Sequence, residues 1–248
     1  MLEPSQTLQG LIKDVYGDLP QHHLNKDYMA ERAILTLRNT DVDNINDIVM
    51  QSFPGEATTL LSADSMDETP ENSALFGGQQ ISQDVLNKIA ASGMPPHRLT
   101  LKESAPITLL RNMHGVRGQA NGTRLVVRKV HSRLVEAQIV TGCSIGKVVY
   151  IPRINSTNTD SSLAFKFKRR QLPLRPAFAM TINKSQGQTL RRAGLFLPTQ
   201  CFSHGQLYVA KTRVGASDAL KMVVTNGRVQ GRDGVYVKNV VHQELLMH

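Results

Sequence analysis

The sequence predicts an α/β chain whose parallel sheet is interrupted by a small inserted β-barrel. Three observations carry that expectation. Strand, helix and strand follow one another with short connections over residues 31–65, the grammar of a parallel sheet. From about 99 to 151 the apolar period changes to two, giving five short strand candidates in some fifty residues. Beyond 175 strands and helices alternate again.

Residues 31–36 read as a short buried strand, apolar and ending in the turn-prone Arg38-Asn39-Thr40-Asp41. A helix follows to Phe53, with Val42, Ile45, Ile48 and Val49 near helical spacing, Thr40 or Asp41 as N-cap, and Pro54-Gly55 as a stop. Residues 58–65 are the expected second strand of the parallel sheet. Residues 64–80 are polar and acidic, a linker, and a short helix over 82–91 closes at Gly93 and Pro95-Pro96. The barrel strands are expected at 98–102, 106–112, 123–130, 133–140 and 147–152, with Arg117-Gly118 and Asn121-Gly122 as turn signals. After a polar spacer at 155–162 come a strand at 175–181, a helix from about 184, a strand at 193–197, a helix at 204–212 and a strand at 219–225. The tail 232–248 carries no clear pattern.

Charge is uneven along the chain. The first hundred residues hold six Lys+Arg against fourteen Asp+Glu, a net of −8, and residues 101–248 hold twenty-three against six, a net of +17. Such a basic remainder suits a nucleic-acid partner better than a small neutral substrate, although ribosomal, chromatin and membrane-surface proteins share the bias. No apolar run approaches the length of a bilayer span, so no membrane partner is expected. The first residues lack the charged and apolar regions of a secretory signal. Two distant cysteines, Cys143 and Cys201, argue against a disulfide framework or a zinc site and suit a reducing, intracellular setting. Eight histidines form no H-E-x-x-H, so no metal site is expected. Five Tyr, seven Phe and no Trp make a phosphate-tracking groove a better expectation than a broad stacking platform.

Two segments carry chemistry. In Phe178–Thr189 an apolar strand runs into Thr181-Ile-Asn183-Lys184-Ser185-Gln186-Gly187. A helix N-terminus there would favour phosphate oxygens, the hydroxyls of Thr181 and Ser185 could donate to them, and Gly187 would allow close approach. The competing reading is an ordinary capped helix after a strand. In Phe202–Val214 a helix would bury Leu207, Ala210 and Val214 and end at Arg213, whose planar fork suits phosphate. The competing reading there is an Arg that satisfies its own helix's last carbonyls. The run Lys166-x-Lys168-Arg169-Arg170 reads as a solvated face, a contact to a DNA track, or a nuclear import signal.

In this order and about twenty residues apart, the two segments look like helicase motifs five and six. With residues 31–47, 60–65, 93–112, 121–127, 151–154 and 171–174, they make the chain resemble the C-terminal half of the Pif-one-like DNA helicases, superfamily-one motors, in particular those of Helitron-type transposons, over roughly residues 8–226. The resemblance implies a second RecA-like motor domain, begun by residues 1–74 and resumed by 161–230 with motifs five and six. It implies an inserted accessory module with an SH3-like barrel at 75–160 and a C-terminal tail at 231–248. Thr181, Asn183, Lys184 and Ser185 would contact phosphates and sugars of single-stranded DNA. Gln186 and Gly187 would couple that contact to the nucleotide cleft, Arg213 would be the arginine finger, and Arg38 with Asn39 would lie at the cleft edge. ATP and Mg²⁺ would be the cofactors, single-stranded DNA and DNA junctions the partners, and the nucleus, or mitochondria, the compartment. DNA repair, recombination and telomere maintenance are the processes such motors serve.

The sequence also departs from the family. Leu37 stands where Pro is usual and Asn183 where His is frequent; Lys211-Thr212 replaces Leu-Ser, which is expected to loosen the helix carrying Arg213. No G-x-x-x-x-G-K-[ST] occurs, the one Gly-Lys being Gly146-Lys147 before Val148, and Asp67-Glu68 lies in a polar stretch. The expectation is therefore that the first RecA-like lobe, with the Mg²⁺ ligands, lies on another segment or chain, and that this chain alone turns over no ATP. The alternative is a non-catalytic DNA-binding fragment or transposon-derived relic.

Overall fold

The computed structural model describes residues 7–67, 69, 81–91, 93–114, 118–158, 163–228, 230–231 and 233–241. Along them run α1 (Leu8–Tyr16), α2 (Leu19–His22), α3 (Lys26–Ala30), β1 (Arg32–Thr36), α4 (Asn39–Ser52), β2 (Thr58–Leu61), β3 (Ala63–Met66) and α5 (Gln83–Lys88). Then come β4 (Arg98–Leu101), β5 (Pro106–Leu109), β6 (Arg124–Val130), β7 (Leu134–Ile139), β8 (Val148–Pro152), β9 (Ile154–Thr157), β10 (Phe167–Gln171) and β11 (Leu174–Pro176). The last are β12 (Ala179–Thr181), a 3-10 turn (Ile182–Ser185), β13 (Arg192–Leu197), α6 (Gln206–Lys211), a second 3-10 turn (Ser217–Ala219) and β14 (Leu220–Val224). They form two compact units, Met1–Pro54 with Ala177–His248, and Gly55–Pro176.

The first unit is built on a parallel sheet in the order β12-β1-β13-β14. Strand β1 is buried from Ala33 onward, as an inner strand of a parallel sheet must be. Its alternation sends Ala33 and Leu35 into a core with Met180, Leu195, Leu207 and Ala210. On Gly194 a Cβ would stand 3.0 Å from Val15, 3.1 Å from Leu11 and 3.2 Å from Ile34, so α1 lies so close against β13 that a side chain there would push its neighbours by a few tenths of an ångström. Helix α4 buries Val42, Ile45, Asn46, Val49 and Met50, the i, i+3, i+4, i+7, i+8 stripe of an amphipathic helix. It starts earlier than expected: Arg38 is the N-cap, without a side-chain bond, while the carboxylate of Asp41 accepts from the Thr36 hydroxyl at 3.4 Å. Beside β1, burial opposes ionisation of Asp18, but the Tyr28 hydroxyl, the Asp18 backbone and the Arg32 guanidinium outweigh it and hold that carboxyl below its usual range.

The second unit is antiparallel throughout. Its largest sheet runs β11-β5-β6-β7-β8 with a bulge at Arg128, beside a three-stranded sheet β3-β10-β9 and a ribbon β2-β4. Leu99, Ile107, Leu125, Val135, Ile139 and Ile151 fill one core. A barrel of five successive strands is not what the ladders form among the described residues. Strand β4 pairs with β2, β11 takes the fifth place, and no ladder joins β8 to β11.

Several boundaries differ from the sequence reading. Residues 58–65 break at Ser62 into β2 and β3, both antiparallel and both in the second unit, so they do not continue the parallel sheet of β1. The expected strand at 175–181 divides at Ala177-Phe178, β11 in one unit and β12 in the other. The units therefore part at 54/55 and 176/177, not at 74/75 and 160/161, and the polar spacer contains β9. Within 64–80 and 155–162, residues 68, 70–80 and 159–162 lie outside the described residues, as do 242–248 of the tail.

The basic run is strand β10, alternating in and out. Lys168 pairs with Asp67 at 2.6 Å, while Arg169 is buried against Asp64 at 2.7 Å. Arg169 is thus core, against all three readings of the run, because a carboxylate distant in sequence meets it across the β3–β10 ladder.

Candidate nucleic-acid interface

Ligands of open α/β sheets sit beyond the carboxyl ends of the strands. Here β1 and β12 run parallel and their last residues, Thr36 and Thr181, are register partners. Arg38 emerges two residues past Thr36 and is exposed. Beyond Thr181 the chain winds through Ile182–Ser185, with Gln186 N–H donating to the Asn183 carbonyl at 3.3 Å and Gln188 N–H to that of Ser185 at 3.0 Å. Gly187 then takes φ +79, a left-handed conformation that ends the turn.

No helix follows, contrary to the helix expected from about 184. The Arg191 and Arg192 N–H groups both turn to the Glu31 carbonyl, at 2.8 and 3.2 Å, and β13 begins at Arg192. Too few residues remain to propagate a helix, so the phosphate argument from a helix N-terminus falls. What remains is a tight turn. Asn183, Lys184, Gln186 and Gly187 are exposed and Thr181 is half-buried. Ser185 is wholly buried and its hydroxyl donates to the Ile182 carbonyl at 2.7 Å, so it shapes the turn instead of facing solvent.

Arg213, half-buried at the end of α6, is clamped onto this turn. Its Nε donates to the Val209 carbonyl at 2.9 Å, Nη1 to those of Ser185 and Gln188 at 3.3 and 3.0 Å, and Nη2 to the Thr212 hydroxyl at 3.0 Å. It satisfies a carbonyl of its own helix, as the competing reading has it, and also bonds carbonyls of the neighbouring loop. The Leu190 N–H donates to the Arg213 carbonyl at 2.8 Å, closing the clamp from the backbone. At Lys211-Thr212, where the helix is expected to loosen, the Thr212 hydroxyl donates to the Tyr208 and Val209 carbonyls at 3.0 and 3.1 Å. The structure thus joins Ser185, Gln188 and Arg213 directly and sets Arg38 at the same sheet end as Thr181.

Three further residues support the elements around the turn. Asn46 is buried on α4, and its Oδ1 accepts from the Ala179 N–H at 2.9 Å, holding the outer edge of β12. Nothing in the sequence marks it beyond a polar residue within an apolar stripe. Gln206 accepts from the N–H groups of Phe202 and Ser203 at 3.2 and 3.1 Å, and the Ser203-x-x-Gln206 spacing of a capping box signals it. Gln188 offers Arg213 a carbonyl, which no side-chain pattern reveals. Asn46→Ala leaves a strand N–H unpaired, so we expect a loss of about 1–3 kcal/mol in urea unfolding.

Residues 84–130, from α5 to the end of β6, match the family model for the DNA helicase Pif1, 2B domain. The ATP-dependent DNA helicase PIF1 of Homo sapiens is 29% identical over 206 residues, covering 82% of this chain and 28% of that protein. Its Xenopus laevis counterpart is 27% identical over 229 residues, covering 90% and 32%. The chain therefore spans less than a third of the length of these relatives. Among solved structures, a Pif1 helicase described in unwinding of forked duplex DNA superposes with a TM-score of 0.56 at 22% identity, over 87% of this chain and 43% of that one. Bacteroides Pif1 bound to single-stranded DNA gives 0.56 at 20%, over 88% and 49%. At that identity the superpositions speak for the fold. No helix among the described residues is long and apolar enough to cross a membrane. Along most of its length the chain is similar in sequence to the ATP-dependent Pif1 DNA helicases and similar in fold to solved Pif1 structures, and residues 84–130 match the model of the Pif1 2B domain.

Proposed function

We propose that this chain acts as the C-terminal motor half of an ATP-dependent DNA helicase, holding single-stranded DNA while the lobe that cradles ATP lies on another segment or chain. The observation that carries this reading is the Arg213 clamp, which ties the exposed turn proposed to meet DNA to the end of the helix expected to face nucleotide. The parallel sheet of the first unit then corresponds to the second RecA-like lobe, and the antiparallel second unit to an SH3-like accessory module. The relatives' names and the solved complexes of Pif1 proteins with single-stranded DNA, forked DNA and ADP-AlF3 support that assignment. DNA junctions as further substrates, and the nucleus or mitochondria as the compartment, belong to the same proposal.

In this reading Thr181, Asn183 and Lys184 touch sugar and phosphate, Ser185 shapes their turn, and Gln186 and Gly187 lead from it toward the nucleotide. ATP supplies the phosphoryl group whose transfer drives movement, with Mg²⁺ held by carboxylates of the other lobe. The residues gathered here fit the phosphate end: Arg38 is exposed, and Arg213 keeps one of its five N–H donors among the described residues. That so many of its donors are engaged within the chain favours a second reading, a DNA-binding module in which Arg213 positions the turn without serving turnover.

The test is titration of the purified chain with a short oligothymidylate in rising salt. We expect log affinity to fall linearly with log salt, and Lys184→Gln to flatten the slope by about 0.7, one phosphate contact on a single strand. An affinity indifferent to salt would sink the reading.

A further inference from the structure

The second unit carries a cationic feature that the turn at Thr181–Gly187 does not use. The β7–β8 ladder pairs Leu134 with Pro152, and one step outward Arg133 meets Arg153, whose backbone N–H donates to the Arg133 carbonyl at 3.2 Å. Arg170 arrives from β10, pointing outward between buried Arg169 and Gln171. With Pro152 these three arginines line an open pocket of about 550 Å³. No carboxylate lines it, and none of the three is in an ion pair among the described residues.

The site is built, not incidental. Arg153 donates from Nε to the Ser132 carbonyl at 3.2 Å and from Nη1 to the Leu61 carbonyl at 2.6 Å, which fixes its plane. Its Nη2 has no partner among the described residues. Three guanidiniums around one pocket repel each other unless an anion sits among them, and their forks match oxyanions of phosphate. Across Pro152 lies a second open pocket, also of about 550 Å³, lined by His114, Lys147 and Tyr150. Tyr150 is 61% exposed. It stands two residues from Pro152 on β8, roughly 6.6 Å by strand rise. An exposed ring beside a cationic pocket is the pairing of base stacking with phosphate contact that single-strand binders use.

We propose that the Arg133–Arg153–Arg170 pocket holds a phosphodiester of a nucleic-acid strand whose neighbouring base stacks on Tyr150. The assignment rests on the second unit alone and does not require the motor reading. The intact chain tests it, in the same oligothymidylate titration. Arg133 and Arg170 are exposed, so Arg133→Gln with Arg170→Gln should leave the melting temperature unchanged. We expect that pair to flatten the salt slope by about 1.4, two single-strand phosphate contacts. Tyr150→Ala should weaken binding about tenfold with the slope retained. Inorganic triphosphate is the probe for a free polyphosphate instead. Were its binding to depend on Arg133 and Arg170 while the oligonucleotide slope matched the parent, the proposal would be overturned, as it would by an unchanged slope alone. A slope that falls with Lys184→Gln but not with the arginine pair discards this pocket and leaves the proposed function standing. The reverse result retains the pocket and discards the turn.

Discussion

Asp64→Ala should destabilise the second unit by about 3–5 kcal/mol, the cost of leaving one partner of a buried ion pair uncompensated. The Asp64 and Arg169 side chains are 0% and 1% exposed. Arg169 directs Nε and Nη2 at the Asp64 carboxylate, at 2.7–3.1 Å. Its remaining donors reach the carbonyls of Leu86 at 2.9 Å, Ile89 at 3.1 Å and Pro95 at 3.2 Å. The guanidinium therefore closes the C-terminal end of α5, where carbonyls have no helical partner and a cation is favoured. Around it Ser62 donates to Asp64 at 2.6 Å and meets His97 Nδ1 at 2.8 Å, so the carboxylate holds a polar network together. Asp64→Leu combined with Arg169→Met should cost less than Asp64→Ala alone, because no buried charge is then left unpaired. Urea unfolding of the two variants beside the parent checks both statements; Asp64→Ala as stable as the parent would contradict them.

Arg213→Ala should weaken binding of single-stranded DNA about tenfold in the absence of any nucleotide, and lower stability by about 2 kcal/mol. The reason is positional. The guanidinium bonds carbonyls on both sides of Gly187, so its removal frees the turn that presents Asn183 and Lys184. Arg213→Lys should not restore affinity, since one ammonium on a flexible stem cannot span Val209, Ser185 and Gln188 together. An arginine that served only the nucleotide would leave nucleotide-free DNA binding untouched. Oligonucleotide anisotropy without ATP separates the two.

Much of the local structure was legible in the sequence because its causes are local. The period-two runs produced β4 to β8 nearly where expected, and the stripe Val42, Ile45, Val49 produced α4. Pairing was not legible, because partners are set by residues far away. Thr58–Leu61 looks like a parallel strand until β4 claims it, and Arg169 looks like a surface charge until Asp64 meets it across β3. The strand and turn residues of the candidate site, Thr181 to Gly187, stood out by composition, and so did Arg213. Their geometry did not: an apolar strand followed by small polar residues suggests a helix start, whereas the short return to β13 leaves room only for a turn. Asn46 stayed hidden because its bond is to a backbone N–H 133 residues away.

In the proposed function this chain contributes the DNA contact, and the phosphate cradle lies on another segment or chain. The most direct test is Mg²⁺-dependent ATP hydrolysis by the purified chain at saturating single-stranded DNA, beside Arg213→Ala. We predict salt-sensitive DNA binding with ATP turnover no greater than that of Arg213→Ala. DNA-stimulated turnover above that variant would contradict the account.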